Sequence, residues 1–298
     1  MRYIFVINGR EDKAFIQKEI TGQMVDFKGE VDYDLYITKA PRDATRHVSL
    51  YCDLHKGLEV CFVACGGDGT VNEVAAGLVG ADDTKSMAIM AFGTGNDFVK
   101  YYGGRDFRSI AKIFAGEKQR IDIIRINNSF SINVCNFGFD AIVASTANKV
   151  SEKGRKDPYK AGVVAAIMRG RFNHIKVTAD GSPLNKEEML LCTMANGRFV
   201  GGEYLCAPRS ENNDGLIDIC LIKPMSLMTF LQLLPVYTRG EHLDDPKFAK
   251  YISYCRAKTA TIESKHRIDV CLDGEIIADK SFNVRIMPKA ISLVIPVE

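Results

Sequence analysis

Two glycine-rich turns carry the chemistry that the sequence offers most plainly. Gly66-Gly67-Asp68-Gly69-Thr70-Val71-Asn72-Glu73 follows the apolar run Leu58–Cys65 and opens a helical stretch. Three glycines in four positions let the backbone approach a phosphate closely, and a helix start adds N–H groups and a positive dipole end. An Asp inside such a loop repels phosphate unless it holds a divalent cation or accepts a proton, so the loop points to phosphoryl transfer rather than anion storage. The same residues also suit an ordinary βα turn with an Asp at the helix start. The second turn, Gly93-Thr94-Gly95-Asn96-Asp97, closes the next apolar run, Met87–Phe92. One such turn is a weak signal; two on neighbouring strands, both with an Asp, are much stronger. Neither a G-x-x-x-x-G-K-[ST] loop nor a G-x-G-x-x-G fingerprint occurs. Two later acidic segments also stand out: Glu211 to Leu216, and Leu272-Asp273-Gly274-Glu275, which on its own reads as an Asp-Gly hairpin turn.

The elements that must position these turns alternate over the first 125 residues. Strand-like runs at Tyr3–Ile7, Tyr33–Thr38, Leu58–Cys65 and Met87–Phe92 are separated by helical stretches near 12–22, 42–54 and 70–79, with another stretch at 96–102. This pattern predicts an open parallel α/β sheet covered by helices, with ligands outside the carboxyl ends of the strands. After Arg120 the sequence becomes strand-dense: 121–126, 130–135, 174–179, 189–195, 216–222, 259–262, 268–272, 282–286 and 291–297. Helical patterns interrupt it only near 140–149, 159–169 and 226–238. Short strands with turn residues between them predict an antiparallel β-sandwich with a few helices. The expected domains are 1–126 and 127–298, with the last strand packing back on the first.

Composition narrows the classes further. The chain has 298 residues, 46% hydrophobic and 26% charged, with 39 Lys and Arg against 37 Asp and Glu. A net charge of +2 gives no footprint for nucleic acid. The apolar runs fall short of the roughly 20 residues a spanning helix needs, and the opening apolar run is too short for a signal peptide. Nine cysteines with no CxxC pair read as small buried hydrophobes in a reduced cytoplasm.

The two turns resemble those of the bacterial soluble lipid kinases typified by diacylglycerol kinase, whose catalytic domain is shared with sphingosine kinases. The resemblance runs in order through Thr38 to Ala44, Gly66 to Glu73, Gly93 to Phe98, Ile121-Asp122 and Asn133 to Asp140. It continues through Ala195-Asn196-Gly197, Gly201-Gly202, Ala207-Pro208, Asp214 to Asp218 and Leu272 to Glu275. It implies transfer of the γ-phosphoryl group of ATP to a lipid hydroxyl, diacylglycerol-like or sphingoid, with Mg2+ and a carboxylate base. ATP and the lipid would meet in a cleft between the two domains. The residues it places at the nucleotide are Asn8, Thr38, Gly66, Gly67, Asp68, Gly69, Thr70, Val71, Asn72, Thr94, Asn96 and Asp97. Asp97 and Asp122, beside Asp68, would hold the reacting Mg2+; Glu211, Asp214 and the Leu216 carbonyl would hold a second. The general base would be Asp273, with Glu275 close behind and Asp68 as the choice made in some relatives. One departure stands out: the family's Asn-Pro-x-x-Gly turn is replaced by Asn8-Gly9-Arg10-Glu11-Asp12.

The same resemblance implies a cytoplasmic enzyme that visits a membrane surface, and a homodimer. An NAD kinase or other small-molecule kinase shares the first glycine turn but lacks the two later acidic segments together. A non-catalytic nucleotide- or lipid-binding relative is the remaining alternative. The apolar run Leu227–Tyr237 fits a core helix or an acyl-chain groove, and the basic stretch from Lys153 to Arg171 fits a solvated face or an anion contact.

Overall fold

The computed structural model describes residues 1–138, 173–186 and 188–298. The helical stretches expected at 140–149 and 159–169, and the basic stretch from Lys153 to Arg171, lie outside the described residues. The chain divides into two compact units, Met1–Ile123 with Pro288–Glu298, and Ile124–Met287.

The first unit is α/β. It comprises β1 (Arg2–Ile7), α1 (Lys13–Met24), β2 (Asp32–Ile37), α2 (Asp43–Leu54), β3 (Val60–Gly66), α3 (Asp68–Leu78), β4 (Lys85–Ala91) and the short α4 (Ile110–Phe114). The strands are parallel in the order β2-β1-β3-β4, and the chain's C-terminal residues add a further parallel strand with Leu293 opposite Met87. β3 lies at the centre and is buried at every position, as an unbroken apolar run in a doubly covered sheet must be. On one face Phe5, Ile7, Val63 and Met90 pack against Ile16 and Ile20 of α1 and Ile110 and Ile113 of α4. α2 and α3 pack so closely that a Cβ added at Gly77 would stand 2.7 Å from Val48 Cβ. Asp12 caps α1 by accepting from Phe15 N at 3.0 Å, worth about 1 kcal/mol.

β5 (Glu117–Ile126) leads into the second unit, which is antiparallel. It holds β6 (Ser129–Ser131), β7 (Val134–Gly138), β8 (Asn173–Ala179), β9 (Ser182–Pro183), β10 (Glu188–Met189), β11 (Leu191–Ala195), β12 (Ile217–Ile222), α5 (Leu227–Thr238), β13 (Ile252–Ala257), β14 (Thr259–Leu272) and the first part of β15 (Glu275–Ile295). The strand order is β13-β12-β11-β7-β14-β15, with β8 beside the first half of β14. Alternation builds two cores. Cys192, Met194, Ile217, Ile219 and Leu221 face one, with Phe137, Val177 and Ile262. Leu191, Ala195, Cys220 and Ile222 face the other, where Phe230, Leu233 and Tyr237 of α5 cover them. α5 is therefore a core helix on this side, while Met228 and Leu231 stay exposed. All nine cysteines are free thiols, eight of them buried.

Several elements differ from their expected form. The single strand expected at 130–135 is two, because the N–H groups of Ile132, Asn133 and Val134 turn to the Asp273 carboxylate instead of a ladder. The runs 259–262 and 268–272 join into one β14, whose polar middle stays paired or exposed across a register shift between Glu263 and Ile268. Likewise 282–286 and 291–297 join into β15, with Lys289 at φ +49 where the chain passes from one unit to the other. The stretch at 96–102 is a 3-10 turn, Phe98–Tyr102, rather than an α-helix. α4 and β13 had no expectation: one is five residues long, and the other lies mostly half-buried with a mixed pattern.

His242 is buried against the Tyr237 ring, centroids 4.6 Å apart. Burial pushes its pKa down to about 4, outweighing the upward pull of the Cys206 backbone and Asp244. The unfolded chain takes this proton near the ordinary value of about 6.5, so the neutral ring's full contribution is present above that pH. Stability falls as pH drops from there toward 4, by roughly 3 kcal/mol in all. In His242→Leu this part of the acid loss disappears, which denaturant titrations at pH 7.5 and 4.5 would measure.

Candidate active site

The carboxyl ends of β1, β3 and β4 bring three turns together. Asn8, after β1, donates its backbone N–H to Cys65 O at 3.1 Å, and its Cβ lies 3.2 Å from where a Cβ on Gly66 would stand. Gly9 donates to Thr38 Oγ1 at 3.0 Å, which draws the end of β2 into the same edge. A Cβ on Gly9 would fall 2.0 Å from Thr38 O, so only glycine fits there. The two glycine turns touch directly: a Cβ on Gly93 would lie 2.3 Å from Gly67 Cα and 3.0 Å from Gly67 N. Phe92 N bonds Gly66 O at 3.1 Å and locks this register. Thr70 and Asn72 are buried at the start of α3, whereas Thr94 is exposed. Asn96, at φ +50, folds its side-chain amide back onto Gly93 O at 2.7 Å.

Asp68 and Asp97 face each other across Gly95. A Cβ there would be 3.0 Å from Asp68 Oδ2 and 3.7 Å from Asp97 Oδ2. Burial and the neighbouring Asp97 push the Asp68 carboxyl above the usual range, against the N–H groups of Phe98 and Asp97 and the Lys100 ammonium. Lys100 Nζ is 2.6 Å from Asp97 Oδ1. A divalent cation would relieve the cost of charging Asp68 in this buried place beside a second carboxylate, so this pair fits a hard metal ion. Asp122 does not join them: it is fully buried on β5 and accepts Lys289 N at 2.6 Å. Among the described residues no three acidic, His or Cys side chains converge.

The second acidic segment is closed by protein groups. Asp214 pairs with Arg256 through Oδ2 and accepts Leu216 N at 2.9 Å through Oδ1. Arg256 also reaches Asp218, which Tyr254 caps with its hydroxyl. Glu211 is exposed. An arginine already on the central carboxylate suits a cation site at Glu211, Asp214 and Leu216 poorly.

Asp273 sits at φ +46 in the tight turn before Gly274. It is 8% exposed, and its carboxylate accepts Ile132 N at 2.9 Å, Asn133 N at 3.4 Å and Val134 N at 2.8 Å. It thus braces the gap between β6 and β7. Glu275 follows at the start of β15.

Three residues at work here had no role assigned to them in the sequence, although each lies within a quoted motif. Glu73 caps α2, accepting Arg42 N at 2.9 Å and Ala44 N at 3.1 Å. Asp43 accepts Lys39 N and the Tyr36 hydroxyl and so fixes the segment after Thr38. Glu11 accepts Gly67 N at 3.2 Å. Glu73 and Glu11 lie 29 to 56 residues from the N–H groups they accept, a separation invisible to any local pattern.

The Gly67–Gly93 contact predicts asymmetric glycine tolerance. Gly93→Ala should lower stability by about 2 kcal/mol through forced movement of the turns, whereas Gly69→Ala, with nothing within 4 Å, should raise it by about 0.5 kcal/mol. Thermal unfolding of the two variants checks this.

The Diacylglycerol kinase catalytic domain family matches residues 2–126, and the YegS C-terminal NAD kinase beta sandwich-like domain family matches 133–295. A curated diacylglycerol kinase of Bacillus subtilis (strain 168) is 29% identical over 218 residues, covering 72% of this chain and 70% of the relative. A probable lipid kinase YegS-like of Enterobacter sp. (strain 638) is 25% identical over 304 residues, covering 98% and 95%. Among solved structures, a putative diacylglycerol kinase from Bacillus anthracis str. Sterne superposes with a TM-score of 0.76 at 21% identity, covering 99% of this chain and 97% of that one. The α/β unit followed by the antiparallel unit, carrying both matches in order, makes this chain a member of the bacterial diacylglycerol kinase-like lipid kinase family.

Proposed function

We propose that this protein transfers the γ-phosphoryl group of ATP to the hydroxyl of a membrane lipid, diacylglycerol-like or sphingoid. The observation that carries the reading is the pairing of the Gly66–Gly69 and Gly93–Gly95 turns at one sheet edge, with Asp68 and Asp97 across Gly95. Backbone N–H groups and the start of α3 suit the nucleotide phosphates, and Thr38 and Asn8 support the loop from β1 and β2. Mg2+ on Asp68 and Asp97 would supply charge neutralisation at the β- and γ-phosphate oxygens. We assign the hydroxyl proton to Asp273, with Glu275 and Asp68 as the other candidate acceptors. A positioned carboxylate contributes on the order of 10²-fold or more in such a transfer. The exposed Met228 and Leu231 support brief contact with a lipid surface.

The decisive experiment incubates the full chain with labelled Mg·ATP and a total lipid extract in micelles. Labelled phospholipid is expected; no labelled lipid from any acceptor would overturn the reading. Asp97→Asn should cost on the order of 10²-fold in kcat/KM and raise the Mg2+ needed for half-maximal rate, and chelation with EDTA should abolish turnover. Asp273→Asn should lose both rate and about 2 kcal/mol of stability, because an amide cannot accept all three N–H groups. If Glu275 or Asp68 takes the proton instead, its amide variant, and not Asp273→Asn, removes the acid limb of the pH–rate profile.

A further inference from the structure

The turn after β1 brings a third carboxylate, from outside the glycine turns, onto the backbone of the first of them. Glu11 Oε1 accepts Gly67 N at 3.2 Å and, on the same oxygen, the Asn8 side-chain amide at 3.2 Å. The turn is built to present it. Asn8 Oδ1 accepts Arg10 N at 3.0 Å, Gly9 is fixed against Thr38, and Lys13 N bonds the Glu11 carbonyl at 2.7 Å as α1 begins. Glu11 is half-buried in this position, while Arg10 beside it points to solvent. Gly67 is the residue at which the backbone turns from β3 into α3, and its N–H is among the donors that an anion at this helix start would take.

We infer that Glu11 is a resident competitor for the nucleotide's phosphates: its carboxylate occupies the Gly67 N–H, and ATP must displace it or bind without that donor. The inference rests on the proposed nucleotide site. Glu11 therefore sets affinity downward and acts on the phosphate end of the ligand, not on the nucleoside. Glutamine at this position keeps an oxygen that can accept both hydrogen bonds but removes the repulsion between carboxylate and phosphate. Alanine removes both effects.

The test measures binding of Mg·ATP and of adenosine to the full chain by calorimetry, for the wild type, Glu11→Gln and Glu11→Ala. Binding of Mg·ATP is expected to tighten by about tenfold in Glu11→Ala and by less in Glu11→Gln, the size of one charge-assisted hydrogen bond returned to the ligand. Adenosine affinity is expected to stay the same in all three. Equal ATP affinity in all three proteins, or weaker binding in both variants, overturns the inference; the latter would make Glu11 a brace for the loop. A parallel change in adenosine and ATP affinity also overturns it, since that reports a reshaped pocket. A wild-type protein that binds no Mg·ATP overturns the nucleotide site itself, and the inference with it.

Discussion

Everything at the candidate site depends on two backbones meeting without side chains between them. Gly67 and Gly93 lie just beyond the ends of neighbouring parallel strands, and no Cβ can be placed between Gly93 and the Gly67 backbone. Strands β3 and β4 stay in register up to the Gly66–Ala91 pair, so their turns emerge at the same height. Parallel pairing puts both turns at the carboxyl edge, and only glycine lets them close on each other there. Asp68 and Asp97 then follow one and four residues after the touching glycines, which brings their carboxylates to either side of Gly95. The acidic pair is thus a consequence of the glycine contact, and the raised Asp68 pKa follows from its burial there and, second, from the Asp97 beside it.

In the second unit a single carboxylate plays a comparable organising part. Asp273 gathers three consecutive N–H groups that would otherwise continue a ladder, and this splits one expected strand into β6 and β7. A buried carboxylate held by several N–H groups costs little once paired and a great deal if a partner is lost. Asn196 joins the same region by donating to Ile132 O at 2.7 Å, so both donors and acceptors of the gap are used. The Asp-Gly turn is therefore more than a connection between β14 and β15. Its residue type is dictated by the strand opposite, whatever further role its carboxylate has.

The fold was legible where physics is local. Continuous apolar runs marked β1, β3 and β4, and short runs bounded by turn residues marked β11 and β12, whose odd and even positions face two separate cores. Legibility failed where a distant partner decides. Glu263 to Arg267 reads as a turn, yet the strand runs through it because its polar side chains lie at the surface of a long hairpin. Residues 130–135 read as one strand because nothing nearby announces that Asp273, some 140 positions away, will claim the backbone. The candidate site divides in the same way. Glycine spacing announces the turns, but the Asp214–Arg256 ion pair and the Asp122–Lys289 bond depend on chain segments that come together only in the folded units.

The charge balance of the first unit's site bears on how any phosphate is held there. Glu11, Asp68 and Asp97 stand around the glycine turns, and the cation paired among them is Lys100, already 2.6 Å from Asp97. These three carboxylates outnumber the one ammonium paired among them, although the whole chain carries +2. The helix dipole gives an anion only about 0.3–1 kcal/mol, which does not offset several like charges. On the proposed reading the attraction arrives with the ligand, as a metal ion carried on the phosphates. If the nucleotide binds here as proposed, the three carboxylates favour an anion that brings its own divalent cation, a preference that the near-neutral composition of the chain does not announce.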